Sequence, residues 1–181
     1  VDDYSSFDPR IQTITVTAAK VFEQAGIRFG ILADGESNAG NDIRRVGEEG
    51  LFQMLREKNL ESLEAADFNA VITTDPHTYN ALKHEYQTPA GNSNGHPLAG
   101  KPILHYTELL ADLFRDQKLS VVNPMKETVT YHDPGYLGRY NGVYEPPRQV
   151  LRDLGVQHVE MPRNRSCSYR SCAGGGRIWK E

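Results

Sequence analysis

The two halves of the chain repeat one order of loop, helix and apolar stretch, and this repeat limits the folds open to the chain. In the first half, a polar loop at Asp3 precedes a helical pattern, a short apolar stretch and a second loop at Asn38. In the second half, loops at Gly135 and Arg170 enclose the same order, and 34 residues separate the two loop positions in each half. Such a repeat indicates two similar supersecondary units. We therefore predict an α/β fold with two pseudo-repeated lobes of short parallel strands and flanking helices.

The two predicted lobes differ in length. The first lobe with its connector takes residues 1–126, and the second takes residues 127–181. In the first lobe, 35 residues separate Ala39 from a further pair of loop positions, Asp75 and Thr78, which are three residues apart. The counterpart of this pair would fall beyond Glu181, so the second lobe is expected to be truncated.

Local patterns predict the individual elements. Apolar residues recur at helical spacing from Ile11 to Ala25, with Pro9 at the first helical position and Gly26 after the last turn. Residues 27–32 form an apolar run that predicts a short buried strand. The other predicted elements are one long or broken helix at 42–65, a strand at 68–74, a helix at 79–86, a strand at 103–106, a helix at 108–114 capped by Thr107, and a strand at 128–132.

Composition narrows the class of protein. Hydrophobic residues make up 38% of the chain and charged residues 24%, which is typical of globular proteins. A net charge of −4 argues against nucleic acid as a partner, because phosphate binding needs a concentrated basic face. No apolar run is long enough to span a membrane, and the first residues lack a signal-peptide pattern. A cytoplasmic domain or subunit is therefore expected.

Only two cysteines occur, Cys167 and Cys172, five residues apart. Two thiols cannot complete a four-ligand metal site by themselves. Free thiols, a small-loop disulfide and metal ligation all remain open for this pair.

The polar residues after the predicted strands offer a second kind of site. Asp3, Asp75 and His77 would meet if their loops converge at the carboxyl ends of parallel strands, and such a set suits zinc. The alternative is structural, with Asp75 and Thr78 capping the following helix. For His132 and Asp133 three roles remain open: orienting a loop by hydrogen bonds, supporting a cluster, or packing, and packing is favoured. Three arginines lie near the last loop: Arg139, Arg170 and Arg177. They could bind an anion or a carboxylate substrate, or they could be solvated or pair with the loops.

Several longer motifs resemble one known family. They read SFDPR from Ser6, RRVGEEGLFQ from Arg44, DPHTYNALK from Asp75, HDPGYLGR from His132 and GGGR from Gly174. Together they are similar to the cysteine-rich CCG domain found in the B-type and D-type subunits of heterodisulfide reductase and in the iron–sulfur subunit of glycolate oxidase. The resemblance covers nearly the whole chain.

This resemblance implies an iron–sulfur site. In the family, cysteines of the two motifs bind clusters, including an unusual non-cubane 4Fe-4S form, since thiolates suit iron and glycines let the backbone approach the cluster. None of the matching positions is cysteine in this chain. They are Asp3, Asn38, Ala39, Asp75, Thr78, Gly135, Arg170 and Ser171. Cys172 lies one place past the expected pair and Cys167 lies before it, so the remaining candidate metal ligands are Cys167, Cys172, Asp75 and His77.

Two functions follow from the resemblance. The first is an iron–sulfur oxidoreductase or electron-transfer module, degenerate in its ligands, that works with other subunits and a flavin or ferredoxin-type electron donor. The second is a non-catalytic, cluster-free structural or interaction lobe of a larger redox complex. The expected cofactor state is no cluster or an incomplete one, with zinc as an alternative. The expected location is cytoplasmic, either free or peripheral to a membrane redox complex.

Overall fold

A computed structural model describes residues 9–86 and 96–169. Several positions predicted above to carry the site lie outside these described residues. They are Asp3, Arg170, Ser171, Cys172 and Arg177.

The first lobe contains most of the helices. Its elements, in chain order, are α1 (Pro9–Gln24), α2 (Asn41–Arg45), α3 (Glu49–Glu64), β1 (Val71–Thr73), α4 (Pro76–Asn80), β2 (Ile103–His105) and α5 (Tyr106–Arg115). α4 continues into a π-helical segment, Ala81–Glu85. The helical pattern at 42–65 is thus broken into α2 and α3, and α1 has the predicted bounds.

The second lobe is smaller in the described part of the chain. It contains β3 (Thr128–Val129), α6 (Glu145–Asp153), β4 (Gln157–His158) and a 3₁₀ turn at Arg165–Cys167. Within residues 9–86 and 96–169, no helix combines the length and apolar character needed to cross a bilayer.

Each lobe carries one pair of parallel strands. β1 pairs with β2, with Val71 opposite Ile103 and Thr73 opposite His105. β3 pairs with β4, with Thr128 opposite Gln157. Parallel strands need a crossover connection between them, and helices supply it in both lobes. The prediction of an α/β fold with short parallel strands and flanking helices is confirmed.

In the described residues, Ile103 packs against buried side chains of both lobes. Ile103 on β2 packs against a first cluster of buried side chains: Phe52, Ala81, Leu82, Tyr86 and Leu98. It also packs against a second cluster of Tyr79, Leu137 and Val143, of which the last two belong to the second lobe. Each fully buried side chain of this size stabilises a fold by about 1.5–3 kcal/mol, so the lobes are held together by apolar packing.

The predicted strand at residues 27–32 is wrong for the described structure. These residues form no strand in the described structure, and the side chains of Phe29 and Ile31 are 47% and 76% exposed. A strand forms only where a neighbour satisfies its backbone groups, and none of the described residues pairs with this segment.

The predicted start of α5 is also corrected. The helix begins at Tyr106 rather than Glu108, and its N-cap is His105 rather than Thr107. The backbone N–H of His105 donates to Oε2 of Glu108 at 2.9 Å, which is the reciprocal bond of a capping box. The strand–helix junction is therefore tighter than the sequence pattern suggested.

Candidate functional site

Asp75 holds the beginning of α4. Its Oδ1 accepts a hydrogen bond from the backbone N–H of His77 at 3.1 Å. Its Oδ2 accepts from the backbone N–H of Thr78 at 2.8 Å and from the hydroxyl of Thr78 at 2.7 Å. An aspartate at this position satisfies N–H groups that the helix leaves without a partner. The predicted cap is confirmed, and both carboxylate oxygens take part in it.

The loop around Asn38 is fastened to the core of the first lobe. Its side-chain Oδ1 accepts from the backbone N–H of Gly40 at 2.6 Å, and its carbonyl accepts from Nδ2 of Asn59 at 3.1 Å. The carbonyl of the next residue, Ala39, accepts from the hydroxyl of buried Tyr86 at 3.2 Å. Residue 38 therefore forms part of a turn with several structural hydrogen bonds.

Gly40 lets this loop lie directly on the core. Its backbone has φ +77°, in the left-handed region, and a Cβ at this position would lie 2.7 Å from Cδ2 of Phe52. Phe52 is fully buried, so its ring cannot move aside. Only glycine allows both the conformation and the close approach.

His77 lies between the loops of the two lobes. Its Nδ1 is 3.1 Å from Oδ1 of Asp42, which follows the Asn38 loop. Its ring is 4.8 Å from the ring of Tyr136, which follows Gly135 in the second lobe. The imidazole of His77 therefore contacts Asp42 from the first lobe and Tyr136 from the second. All three residues are close in sequence to positions that the resemblance assigns to cluster ligands.

The three predicted zinc ligands, Asp3, Asp75 and His77, are not shown together in one site. Asp75 uses both oxygens for the helix cap, whereas the Nδ1 of His77 faces Asp42. Asp3 lies outside the described residues. Within the described part of the chain, no group of three or more His, Cys, Asp or Glu is arranged to hold a metal ion. The zinc site stays a prediction.

In the second lobe, Asp133 organises the loop that leads to Gly135. Its carboxylate is 1% exposed and accepts two parallel hydrogen bonds from Arg148, at 2.7 and 2.8 Å. It also accepts from the backbone N–H of Arg165 at 2.6 Å, so it joins the opening loop to the segment that enters the last loop. Asp133 therefore orients the loop by hydrogen bonds, whereas packing was the favoured prediction for it.

The charges around Arg148 compensate one another. Burial alone would raise the pKa of Asp133, but the hydrogen bonds from Arg148 and from the Arg165 backbone outweigh burial and lower it. Hydrogen bonds to Asp133 and Glu160 raise the pKa of Arg148 above its usual value. The guanidinium Nε donates to Oε1 of Glu160 at 2.6 Å, and Nη1 also donates to the carbonyl of Tyr144 at 2.8 Å. Arg148 is therefore charged and anchored on both sides.

The entrance of the last loop has two further anchors. Arg139 donates from Nη2 to the carbonyl of Ser168 at 2.5 Å, and the guanidinium of Arg163 stacks 4.3 Å from the ring centre of Tyr169. Arg139 thus behaves as a loop-pairing side chain. Cys167 is exposed, and its sulfur lies 4.0 Å from the hydroxyl of Ser166.

A set of side-chain amides joins the two lobes next to this site. Nδ2 of Asn141 donates to the carbonyl of Tyr136 at 2.6 Å and to Oδ1 of Asn80 at 3.2 Å. Its Oδ1 accepts from Nε2 of His84 at 2.8 Å. Sequence reasoning missed this contact, because Asn141 beside Gly142 predicts only a turn and its partners are distant in the chain.

His105 is a second residue whose setting the sequence did not reveal. It is 3% exposed, its Nδ1 lies 2.7 Å from the hydroxyl of Thr107, and its Nε2 has no hydrogen-bond partner. Burial lowers the pKa of His105 to about 4. The imidazole is therefore neutral at physiological pH.

The described residues do not fit a thiolate-bound cluster. Ala39 and Gly135 have no side-chain donor atom, and Asn38 and Asp75 are engaged in the hydrogen bonds described above. Iron–sulfur clusters are held by cysteine thiolates, with histidine as the known replacement in one class. Within the described residues, none of the five positions that the resemblance assigns to cluster ligands carries either residue type.

These lobes nevertheless define a class of protein: a two-lobed α/β domain whose strand-end loops face one another across the lobe boundary. The chain belongs to the family of the CCG cysteine-rich domain, whose model matches residues 6–83 and 129–180. The resemblance seen in the sequence is confirmed, and the two matched segments correspond to the two halves of the repeat.

Curated relatives carry names from redox metabolism. The chain is 44% identical to "Probable iron-sulfur-binding oxidoreductase FadF" of Bacillus subtilis, over 100% of this chain and 25% of that protein. It is 39% identical to "EtfAB:quinone oxidoreductase" of Syntrophomonas wolfei, over 97% of this chain and 24% of that protein. It is 30% identical to the D-type subunit of dihydromethanophenazine:CoB–CoM heterodisulfide reductase of Methanosarcina barkeri, over 91% of this chain and 40% of that protein.

The chain therefore spans a quarter to two fifths of the length of these relatives. No solved structure matches it.

Proposed function

We propose that this chain is a CCG module of an iron–sulfur oxidoreductase assembly and that its first-lobe site has become a structural, cluster-free centre. The observation that carries the proposal is the cap at Asp75, where both carboxylate oxygens hold the start of α4 at a position that the resemblance assigns to a cluster ligand. A residue that completes a helix cap takes over the restraint that a metal–ligand bond would otherwise place on this loop.

Membership of an electron-transfer assembly is supported by the family and by the names of the relatives, which describe oxidoreductases and a reductase subunit. In that assembly the partners would be other subunits or domains, including a flavin or ferredoxin-type electron donor. The module would supply a rigid two-lobed surface, because buried ion pairs and amide contacts hold its loops in place. We propose a cytoplasmic location, peripheral to a membrane complex where the assembly has one.

The alternative is that the chain retains a metal centre, which is either an incomplete 4Fe-4S cluster that transfers electrons or a zinc ion, which is redox-inactive. Exposed Cys167 favours it, because this thiol is accessible to a metal. Zinc at Asp75 and His77 would require Asp75 to leave its cap. The two hypotheses therefore differ in metal content.

Metal content after anaerobic reconstitution with iron and sulfide tests the proposal. The natural chain is compared with a variant that carries five substitutions: Asp3→Cys, Asn38→Cys, Ala39→Cys, Asp75→Cys and Thr78→Cys. We expect the natural chain to bind iron far below one cluster per chain. We expect the variant to gain iron, sulfide and visible absorption, because it regains thiolates on a scaffold of the same family.

A control distinguishes the effect of the added thiolates from the effect of losing the helix cap at Asp75. The double variant Asp75→Ala, Thr78→Ala removes the cap without adding sulfur, and it should gain no iron. A stoichiometric cluster in the natural chain would contradict the proposal.

Zinc is measured in the same samples. Stoichiometric zinc that is lost in His77→Ala would favour the alternative site.

A further inference from the structure

Asn141 is followed by glycine, and its side chain lies at the boundary of the two lobes. It links the carbonyl of Tyr136 in the second lobe to the side chain of Asn80 in the first. An asparagine before glycine is open to attack by its own backbone, because the attacking nitrogen belongs to a residue that has no Cβ. Asn141 therefore combines a reactive sequence with a contact that joins the lobes.

The reaction is deamidation, and water is its only other reactant. The backbone nitrogen of Gly142 forms a bond to Cγ of Asn141. The bond from Cγ to Nδ2 breaks, and Nδ2 takes up the proton of the Gly142 nitrogen and leaves as ammonia. Water then opens the resulting cyclic imide on either side. The products are aspartate at position 141 and isoaspartate, in which the main chain runs through Cγ.

In the folded chain, other partners hold both reacting groups. The backbone N–H of Gly142 donates to the carbonyl of Gly138 at 2.6 Å. Nδ2 of Asn141 donates to the carbonyl of Tyr136 at 2.6 Å and to Oδ1 of Asn80 at 3.2 Å. Each of these hydrogen bonds opposes the movement that brings the nitrogen of Gly142 to Cγ. Deamidation therefore requires this turn to open.

Apolar packing also fastens the turn to the first lobe. Leu137 and Val143, which lie on either side of Asn141 in the chain, pack with Tyr79 and Ile103 of the first lobe. Leu137 is fully buried and Val143 is 8% exposed. The N–H of Val143 donates to the carbonyl of Leu137 at 3.1 Å, which closes the turn between them. The turn therefore opens when these side chains leave the first lobe.

We propose that Asn141 is a deamidation site that the closed lobes protect and that separation of the lobes exposes. The reaction then weakens the contact between the lobes. A carboxylate has no proton to donate, so the carbonyl of Tyr136 and Oδ1 of Asn80 lose their donor. His84 can still donate to it, because its Nε2 already lies 2.8 Å from Oδ1 of Asn141. The proposal is independent of whether the chain binds a metal.

Peptide mapping by mass spectrometry tests the protection. It measures conversion at position 141 in the natural chain, folded in buffer and unfolded in guanidinium at the same pH. Mapping is needed because Asn94 is also followed by glycine. We expect conversion at least about tenfold slower in the folded chain, because only the opened state reacts. Equal rates would overturn the proposal, and so would an absence of conversion in the unfolded chain.

A matched pair of variants tests whether separation of the lobes is the opening that matters. Ile103 packs in the clusters of both lobes, whereas Leu98 packs in the first-lobe cluster. We expect folded Ile103→Ala to convert at least about tenfold faster than the natural chain, because the cavity weakens the lobe boundary. Folded Leu98→Ala should stay close to the natural rate. Equal acceleration in both would overturn the proposal, because global unfolding would then expose the site. Ile103→Val is the milder variant if Ile103→Ala does not fold.

The effect of the product is tested with Asn141→Asp. Asn123→Asp adds the same charge in the exposed connector and is the control. We expect Asn141→Asp to lower the melting temperature by at least about 2 °C, since acceptors at the lobe boundary lose their donor, and Asn123→Asp to leave it unchanged. An unchanged melting temperature for Asn141→Asp would contradict a weakened lobe contact.

Discussion

At the scale of single residues, the pair of Arg148 and Asp133 fixes the second lobe. The two side chains are 1% and 2% exposed, and their hydrogen bonds reach the opening loop, α6 and the turn before the last loop. A buried pair of this kind adds less to stability than its geometry suggests, because both charges lose their hydration. Removing one partner is costly, however, since it leaves the other charge buried without its partner.

Asp133→Ala should therefore lower the free energy of unfolding by about 3 kcal/mol or more. Asp112→Ala is the matched control, because Asp112 pairs with Arg115 at the surface, where both side chains are about half exposed or more. An exposed pair contributes at most about 1 kcal/mol. Urea unfolding of both variants measures the difference, and losses of equal size would show that the buried pair is not a special restraint.

His105 gives the fold a predictable pH dependence. Burial lowers its pKa to about 4 in the folded chain, whereas an unfolded histidine titrates near 6.5. Between these values the unfolded chain binds a proton that the folded chain does not, so stability falls as the pH is lowered from 6.5 towards 4. From about pH 7 to about pH 5 this residue alone should remove about 2 kcal/mol.

His105→Gln removes this titration, so its free energy of unfolding should decrease less between about pH 7 and about pH 5 than that of the natural chain. His132→Gln is the control, because His132 is exposed and its substitution should keep the natural slope. Unfolding in urea at several pH values gives both slopes. Identical slopes for the natural chain and His105→Gln would contradict the assignment.

At the scale of elements, the sequence was sufficient to predict those elements whose stabilising interactions lie within the element itself. α1 could be predicted to its last residue because Pro9, the apolar spacing and Gly26 act within the helix. The Asp75 cap could also be predicted, since its acceptors and donors are three residues apart or fewer. The strand at 27–32 could not, because strand formation depends on a partner that the apolar pattern does not show.

The π-helical segment after α4 was likewise beyond sequence reasoning. It directs Glu85 towards Arg44 and Arg45 of α2, and the Glu85 side chain is only 7% exposed. Helical periodicity does not distinguish this wider turn from a regular one. The ion pairs of Glu85 are made with another helix, so no local pattern shows them.

At the scale of the whole molecule, the repeat predicted two lobes but not how they meet. Asn141 donates to Asn80 across 61 residues of sequence, and Ile103 contributes to the packing of both lobes. Contacts of this kind follow from the completed fold and leave no local pattern. The sequence likewise did not show the structural hydrogen bonds that Asn38 makes with Gly40 and Asn59.

Asn141→Ala should loosen the contact between the lobes. It removes hydrogen bonds to Tyr136, Asn80 and His84, and we expect the free energy of unfolding to fall by about 1–3 kcal/mol, since polar groups there lose their partners. Asn123→Ala in the exposed connector is the control and should be neutral. Guanidinium unfolding measures both. A neutral Asn141→Ala would show that apolar packing alone holds the lobes together.

The cap at Asp75 also bears on the conditions under which this lobe can form. A loop held by iron–sulfur bonds depends on iron supply, on cluster assembly and on protection from oxygen. A loop held by Asp75 and Thr78 through hydrogen bonds depends on none of these. The beginning of α4 can therefore form in air and during iron starvation, when a cluster-bound counterpart would lose its fold.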